Sequence, residues 1–358
     1  MPVYIYDMED ESNEIKRIFR ATEAFVAYSL PGESDYYLVF QDDRAYTTLF
    51  DGQSSAFVVD SFSKTTDSLR AIRADHVMQN TPFQFELTES IDISSTSYSD
   101  YMSDVTKIIS DIRSGEYDKL VYSKIKKVAQ ERTDIFALFE QLLTSRMSAF
   151  VFCYHIPGSG LWMGATPEVL LSKGDGYYHT MALAGTQYDS GVPVSQTVWG
   201  EKEIAEQAFL KDFVKNKLAI ANLSYEESED YTLVAGPVRH IATDYHISTD
   251  GVDFMRLAQL LHPGPAISGM PQGAAMKKIK KYERHDRQDY TGYLGPVGIN
   301  GAQRLFINLR SMQLSRDAAI LYLGGGITAD SDPAAEWEET EDKASTLLSI
   351  LQHCPANS

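Results

Sequence analysis

Cysteine is nearly absent from this chain: only Cys153 and Cys354 occur, one in an apolar run and one near the C-terminus. They lack the paired spacing that zinc sites and disulfide frameworks need, so neither is expected, and a reducing cytoplasm fits best. Long apolar runs are missing too, and none approaches the length that crosses a bilayer. The opening Met-Pro-Val-Tyr-Ile-Tyr-Asp-Met-Glu-Asp has no basic region followed by an apolar core, so a soluble intracellular protein is expected. Positive charge is scarce: 32 Lys plus Arg face 50 Asp plus Glu, a net charge of −18. That balance argues against a sequence-independent grip on nucleic acid or anionic membrane and leaves small molecules and metals as expected partners. No fixed-period repeat, low-complexity tract or long flexible linker interrupts the 358 residues, so one mixed domain is expected.

Strand signals dominate what is present. Residues 1–95 give short runs rich in Tyr, Phe and Val at Tyr4–Tyr6, Ala24–Leu30, Tyr36–Phe40, Ala56–Asp60 and Phe83–Leu87, separated by polar turns. A Ser-rich connector at Ile91–Ser99 leads into helical spacing over Asp100–Arg113. Further strands are expected at Lys119–Lys124, Ala149–His155 and Leu161–Ala165, with a helix near Ile135–Ser145 between the first two. Val169–Thr186 reads as a hairpin turning at Gly174-Asp175-Gly176, and Glu201–Leu223 as the longest helix. Val252–Leu261 looks helical until Pro263, and three strands follow over Tyr290–Leu323.

The stretch from Gly324 to Lys343 concentrates the most chemistry. Its triple glycine is expected to turn the backbone sharply after a strand, with N–H groups unobstructed for a carboxylate or phosphate. Asp332 then caps a helix starting at Pro333, on which Glu336, Glu339 and Lys343 share a face. Glu203 and Glu206 repeat the same i, i+3 pairing on another helix, and two such pairs facing each other would hold a divalent cation. A solvated acidic helix accounts equally well for the composition of this stretch. Arg310, in an otherwise apolar line, is either a substrate grip or the partner of a structural carboxylate.

In order and spacing, the residues resemble the chorismate-utilising enzymes, and most closely the isochorismate synthases. The resemblance covers roughly residues 100 to 350 and is carried by Lys119-Leu-Val-Tyr-Ser, Gly164-Ala-Thr-Pro-Glu168, Leu183-Ala-Gly-Thr186 and Glu201-Lys-Glu-Ile-Ala-Glu206. It continues through Arg239-His-Ile-Ala-Thr243, Leu261-His-Pro-Gly-Pro-Ala-Ile-Ser-Gly269, Arg287-Gln-Asp-Tyr-Thr-Gly292, Leu309-Arg310, Gly324-Gly-Gly-Ile327 and Glu336-Trp-Glu-Glu339. It implies an α/β (α+β) fold in one large domain, antiparallel sheets packed as a sandwich with helices outside. Residues 1–95 would form a strand-rich part of that domain and 96–358 the catalytic core.

The same resemblance implies Mg2+ bound directly by Glu206 and Glu339, with Glu203 and Glu336 at one remove through water. Tyr290, Arg310 and amides near Gly325 and Gly326 would grip the enolpyruvyl carboxylate of chorismate. Gly185, Thr186, His240 and Lys343 would line the ring carboxylate and metal, and Ala266 stands in a stretch that resembles the isochorismate-forming group. Lys119 matches a water-activating base and Glu168 the acid that protonates the leaving hydroxyl. Burial must lower the lysine pKa from about 10.4 towards 7 or 8 and raise that of the glutamate. A strand-edge lysine that discourages edge pairing is the ordinary account of Lys119 without the resemblance. Salicylate synthase is the alternative product assignment; an anthranilate or aminodeoxychorismate synthase component, or a silent chorismate-binding protein, stands further off. Gln207 departs from the family, where a histidine commonly follows the metal glutamate. The product would feed menaquinone or siderophore biosynthesis, and the residues leave the oligomeric state open.

Overall fold

The structure, a computed structural model, describes residues 17–43, 54–63, 68–130, 134–188, 191–235 and 238–353, with the backbone alone for Thr186, Ala235 and His353. The expected strand at Tyr4–Tyr6 lies outside the described residues. Two nine-stranded antiparallel sheets make the body of the molecule. The first runs β16 (Gly269–Met270), β8 (Lys119–Ala129), β20 (Ala318–Ile327), β19 (Ser311–Leu314), β10 (Gly160–Thr166), β9 (Phe150–Ile156), β2 (Phe25–Ser29), β3 (Tyr37–Phe40) and β6 (His76–Gln79), numbered in chain order. The second runs β13 (Tyr225–Glu227), β15 (Val238–Ser248), β12 (Tyr177–Tyr188), β11 (Val169–Lys173), β18 (Ala302–Ile307), β17 (Tyr293–Ile299), β4 (Ala56–Asp60) and β5 (Leu69–Arg73), with β14 (Tyr231–Ala235) also on β15. A short parallel pair, β1 (Arg17–Phe19) and β7 (Phe83–Phe85), stands apart.

The sheets face each other across an aromatic layer to which both contribute. Phe150 and Phe152 of β9, Phe57 of β4 and Phe306 of β18 are buried in it with Trp162 and Tyr322. Phe150 and Phe306 stack at 4.1 Å and 2° across the interface. Losing such a ring to alanine is expected to cost about 3–5 kcal/mol, since the cavity adds to the lost burial. β9 is buried along its whole length, which explains its unbroken apolar run Phe-Val-Phe-Cys-Tyr-His-Ile.

Helices cover the outer faces. α2 (Ile135–Ser145) and α6 (Pro333–His353) pack on the first sheet, while α3 (Glu201–Ile220) and α4 (Phe254–Leu261) pack on the second. α1 (Tyr98–Arg113) and α5 (Gln272–Tyr282) flank β8. The expected cap is present: the Asp332 carboxylate accepts from the Ala334 and Ala335 amides and starts α6. The two sheets with helices outside are the α/β sandwich that the family resemblance implied.

Strands from the first ninety residues are woven into both sheets: β2 pairs with β9, and β4 pairs with β17. α6, with 21 residues, outruns α3, with 20, which was expected to be the longest helix. Four strands, not three, occupy the region from Tyr293 to Ile327, because Arg310 takes a left-handed φ of 49° and separates β18 from β19. β15 was not legible because buried Arg239 and Thr243 stand among its inward-facing residues. α5 was missed because its core stripe of Ala275, Ile279 and Tyr282 opens on a small residue.

Candidate active site

Gly324, Gly325 and Gly326 do not turn the chain, contrary to expectation. They finish β20 as extended strand, opposite Ser123, Tyr122 and Val121 of β8. What glycine supplies there is bare surface. A Cβ on Gly326 would lie 2.9 Å from Lys119 Cε, one on Gly324 2.9 Å from the Tyr290 hydroxyl, and one on Gly325 3.3 Å from a Glu336 carboxylate oxygen. Strand alternation puts Lys119 and Tyr290 on one face of this strip and Glu336 on the other.

The strip also exposes backbone. Val121 and Ser123 send their N–H groups away from β20, to the Ser268 carbonyl and the Glu283 carboxylate. In an antiparallel ladder their partners Gly326 and Gly324 then also point outward, past the end of β19. There the Gly324 carbonyl accepts from Lys343 Nζ at 2.9 Å. Gly325 is turned into the ladder with Tyr122, so the amide offered on this edge next to it is that of Gly326.

Lys119 is no sheet-edge residue, since β8 lies between β16 and β20. Its Nζ donates to Glu206 Oε1 at 2.5 Å, joining the first sheet to α3. Burial works to raise the Glu206 carboxyl, but the Lys119 ammonium, the Gly185 amide and Lys202 outweigh it and hold the group below the usual carboxylate range. The Gly185 amide is free to do so because β12 bulges between Ala184 and Gln187, where Gly185 takes a φ of 62°. The Gly185 carbonyl meets His240 Nδ1 at 2.8 Å. A side chain at 185 would strike Glu203 Cβ, 2.9 Å from the position of a Cβ, so glycine is required by both conformation and space. Gly185, His240, Glu203 and Glu206 thus meet at one bulge, with Thr186 next along the strand. Gln207, where the family commonly has histidine, is buried and donates to the Ala182 carbonyl and Thr243 hydroxyl, so it ties α3 to the second sheet.

Across from α3, the first turns of α6 carry Glu336, Glu339 and Lys343. Burial first, and then the nearby Glu339, raise the Glu336 carboxyl, although the Ser331 hydroxyl bonds it at 2.6 Å. Lys202 on α3 pulls Glu336 the other way, as it does Glu206, which sets the two acidic helix faces towards each other. Glu339 bonds Lys343 Nζ at 2.7 Å. Among the described residues no three acidic, histidine or cysteine groups stand in metal-ligating proximity. The two expected direct ligands, Glu206 and Glu339, each bond a lysine. In donor chemistry the set nonetheless suits a hard dication, being oxygen-only and acidic, with Glu203, Glu206 and Glu336 half-buried and Glu339 exposed.

At the other end of the glycine strip lie Tyr290, Glu168 and Arg310. Tyr290 is buried and stacks on Tyr322 at 5.6 Å. Burial raises its phenol, Arg287 and Arg310 oppose the shift, and Glu168 adds to it, so all of these charges lie within its reach. Glu168 follows β10, where the Thr166 hydroxyl bonds the Ile307 carbonyl and the Ile307 amide returns to the Glu168 carbonyl. Burial pushes its carboxyl up to about 7, and among the described residues no donor engages the carboxylate. Arg310 is exposed, and its guanidinium bonds no described acceptor. Ala266 is exposed on the turn that ends in Ser268, whose carbonyl is bonded by Val121 beyond Lys119.

Three residues at the site had no role assigned from sequence: Lys202, Ser123 and Asp289. Asp289 stands within Arg287-Gln-Asp-Tyr, where only Tyr290 drew attention. Its signal was a charged residue set between a chemistry-bearing tyrosine and an arginine.

Comparison with known proteins identifies the family. The profile of the chorismate binding enzyme family matches residues 6–349. Isochorismate synthase EntC of Escherichia coli K12 is 28% identical over 248 residues, 66% of this chain and 63% of that protein. The match therefore spans less than two thirds of that relative. Anthranilate synthase component 1 of Methanothermobacter marburgensis is 29% identical over 70% of this chain and 56% of its own length. The solved structure of MenF, the menaquinone-specific isochorismate synthase of Escherichia coli, superposes with a TM-score of 0.77 at 18% identity, covering 93% of this chain and 90% of that one. With the match extending over nearly the whole sequence and the fold shared, the chain belongs to the chorismate binding enzymes.

Proposed function

We propose that this protein is an isochorismate synthase, converting chorismate to isochorismate. The observation that carries the reading is the placement of Lys119 and Glu168 towards opposite ends of the glycine strip, with the Lys119 amine over Gly326 and the carboxyl held at about 7 by burial. A ring laid along the strip would have a base at one end and a proton donor at the other. Lys119 would take a proton from the incoming water as its oxygen bonds to one ring carbon. The ring double bond shifts, and the hydroxyl on a second carbon leaves with a proton from Glu168. One water enters and one departs, so the product is an isomer.

Arg310, the Tyr290 hydroxyl and the outward-facing Gly326 amide would bind the enolpyruvyl carboxylate, a reading supported by the lack of a described acidic partner for the arginine. Gly185, Thr186, His240 and Lys343 would border the ring carboxylate. Mg2+ would be held by Glu206 and Glu339, with Glu203 and Glu336 through water, and would supply positive charge for the ring carboxylate. Because Lys119 and Lys343 bond those same ligands, metal binding would compete with the two ion pairs.

Resemblance to anthranilate synthases supports a second reading, but Lys119 stands where ammonia-using relatives usually lack a lysine. Salicylate synthases share it, so the product must be identified directly. Incubation of the purified protein with chorismate and Mg2+, with a parallel EDTA-treated sample, tests this by chromatography. Isochorismate formed only with metal is expected; salicylate plus pyruvate, or anthranilate when ammonia is added, would overturn the assignment. Among the described residues no helix is long and apolar enough to cross a membrane. A cytoplasmic enzyme feeding menaquinone or siderophore synthesis is part of the same proposal.

A further inference from the structure

Asp289, the residue before Tyr290, gathers four polar partners, and the charged one among them comes from the N-terminal strands. Gln288 and Thr291, on either side of Asp289 and Tyr290, take left-handed φ values of 48° and 59°, which places this tight turn under backbone strain. Asp289, itself buried, keeps the turn in place. Its carboxylate accepts from the Ser61 hydroxyl at 2.7 Å, the Tyr154 hydroxyl at 2.8 Å and the Arg70 guanidinium, while Asn308 donates to its carbonyl at 2.8 Å. Arg70 lies in β5 and is buried, its guanidinium spread over Asp289, Ser61, Ser159 and the Ser68 carbonyl. The charged pair thus links the edge of the second sheet to the residue before Tyr290.

We propose that Arg70 is a positioning residue for substrate binding: through Asp289 it fixes Tyr290 against Gly324 at the carboxylate-binding end of the site. The inference rests on the reading of Tyr290 as a chorismate contact. It gives the N-terminal strands a part in the chemistry besides completing the sheets. A guanidinium is needed because one group must reach three side-chain acceptors at once in a fixed fork, which an ammonium cannot do with the same geometry. Removing it leaves Asp289 charged and under-bonded, and the turn is then free to relax its two left-handed residues by swinging Tyr290 away.

The test compares Arg70→Ala, Arg70→Lys, Tyr290→Phe and Arg70→Ala/Tyr290→Phe in the full chain, measuring chorismate KM and kcat separately. Arg70→Ala is expected to raise KM about tenfold, the loss of roughly one charge-assisted hydrogen bond, with kcat changing far less. Millimolar guanidinium chloride should bring KM back towards wild type, whereas the same concentration of sodium chloride should not. The double variant should bind no worse than the weaker of the two single variants, since both act on one contact. A KM unchanged by Arg70→Ala, or a loss that adds to that of Tyr290→Phe and ignores guanidinium, overturns the proposal. If Arg70→Ala does not fold, Arg70→Lys retains the buried charge: a raised KM supports the proposal, and a wild-type KM overturns it. The identity of the wild-type product tests the functional reading separately, because the KM ratios can be measured whichever product forms.

Discussion

Of the four lysines in β8, Lys119 and Lys124 lie on opposite faces of the strand, and the contrast between them is instructive. Lys119 faces the space between the sheets, lies over Gly326 and bonds Glu206 across to α3. Lys124, five residues on, faces the helices: it is 1% exposed, bonds Glu341 at 2.7 Å and sets its Nζ 3.0 Å from the Trp337 ring centroid. Burial lowers the Lys124 amine to about 8, with Glu341 opposing the shift. Both are lysines in one strand, each paired with a glutamate from a helix. Strand alternation turns one towards the space between the sheets and the other to the anchoring of α6, whose first turns bear Glu336 and Glu339. The same lysine–glutamate chemistry thus joins β8 to α3 on one face and to α6 on the other.

Substitutions should split the two lysines cleanly. Lys119→Ala is expected to cut turnover by about 10³-fold or more while the protein still folds and binds chorismate, measurable by initial rates beside a binding titration. Retained turnover would dissolve the contrast. Glu168→Gln should lower turnover by about 10²-fold and at the same time stabilise the fold. The carboxyl is raised in the folded state, so its contribution is fully present below its ordinary pKa near 4.5 and is lost as pH rises through about 7. At pH 8 the glutamine variant should therefore unfold with about 3 kcal/mol more stability, read by denaturant titration. For the same reason wild-type turnover should fall as pH rises through about 7, and that alkaline limb should be absent from the residual activity of Glu168→Gln.

Lys124→Met should do the reverse of Lys119→Ala. It is expected to lose about 2 kcal/mol of stability, from the buried ion pair and the cation–π contact, with turnover per folded molecule changing only a few-fold. A large rate loss without destabilisation would mean that the wall also takes part in the reaction. The smallest effect is expected at Lys126, which also bonds Glu341 but is partly exposed: Lys126→Ala should cost under about 1 kcal/mol.

How far the site could be read in advance depended on the range of the interaction. Asp332 and Pro333 announced the start of α6, and the i, i+3 spacing of Glu336 and Glu339 was a local fact. The glycines illustrate the limit. A Gly-Gly-Gly run after a strand reads as a turn, yet here it extends the strand, and its purpose is visible only once Lys119, Tyr290 and Glu336 are laid over it. The Lys119–Glu206 bond, joining residues 87 apart, carries no local trace. Arg70 and Asp289 are further apart still, 219 residues, and neither stands in a recognisable pattern with the other.

The sequence by itself determined the class of the fold and most of its element types, because apolar periodicity and caps act within a few residues of each other. It also pointed to the family, through motifs whose order persists along the chain. Only the tertiary structure decided which face of β8 carries Lys119 towards α3, where the free amides of β20 point, and that Arg70 from the first ninety residues bonds Asp289 beside Tyr290. Those outcomes depend on sheet order and on pairings between distant strands, and burial, bulges and left-handed residues acquire their meaning only after those pairings close.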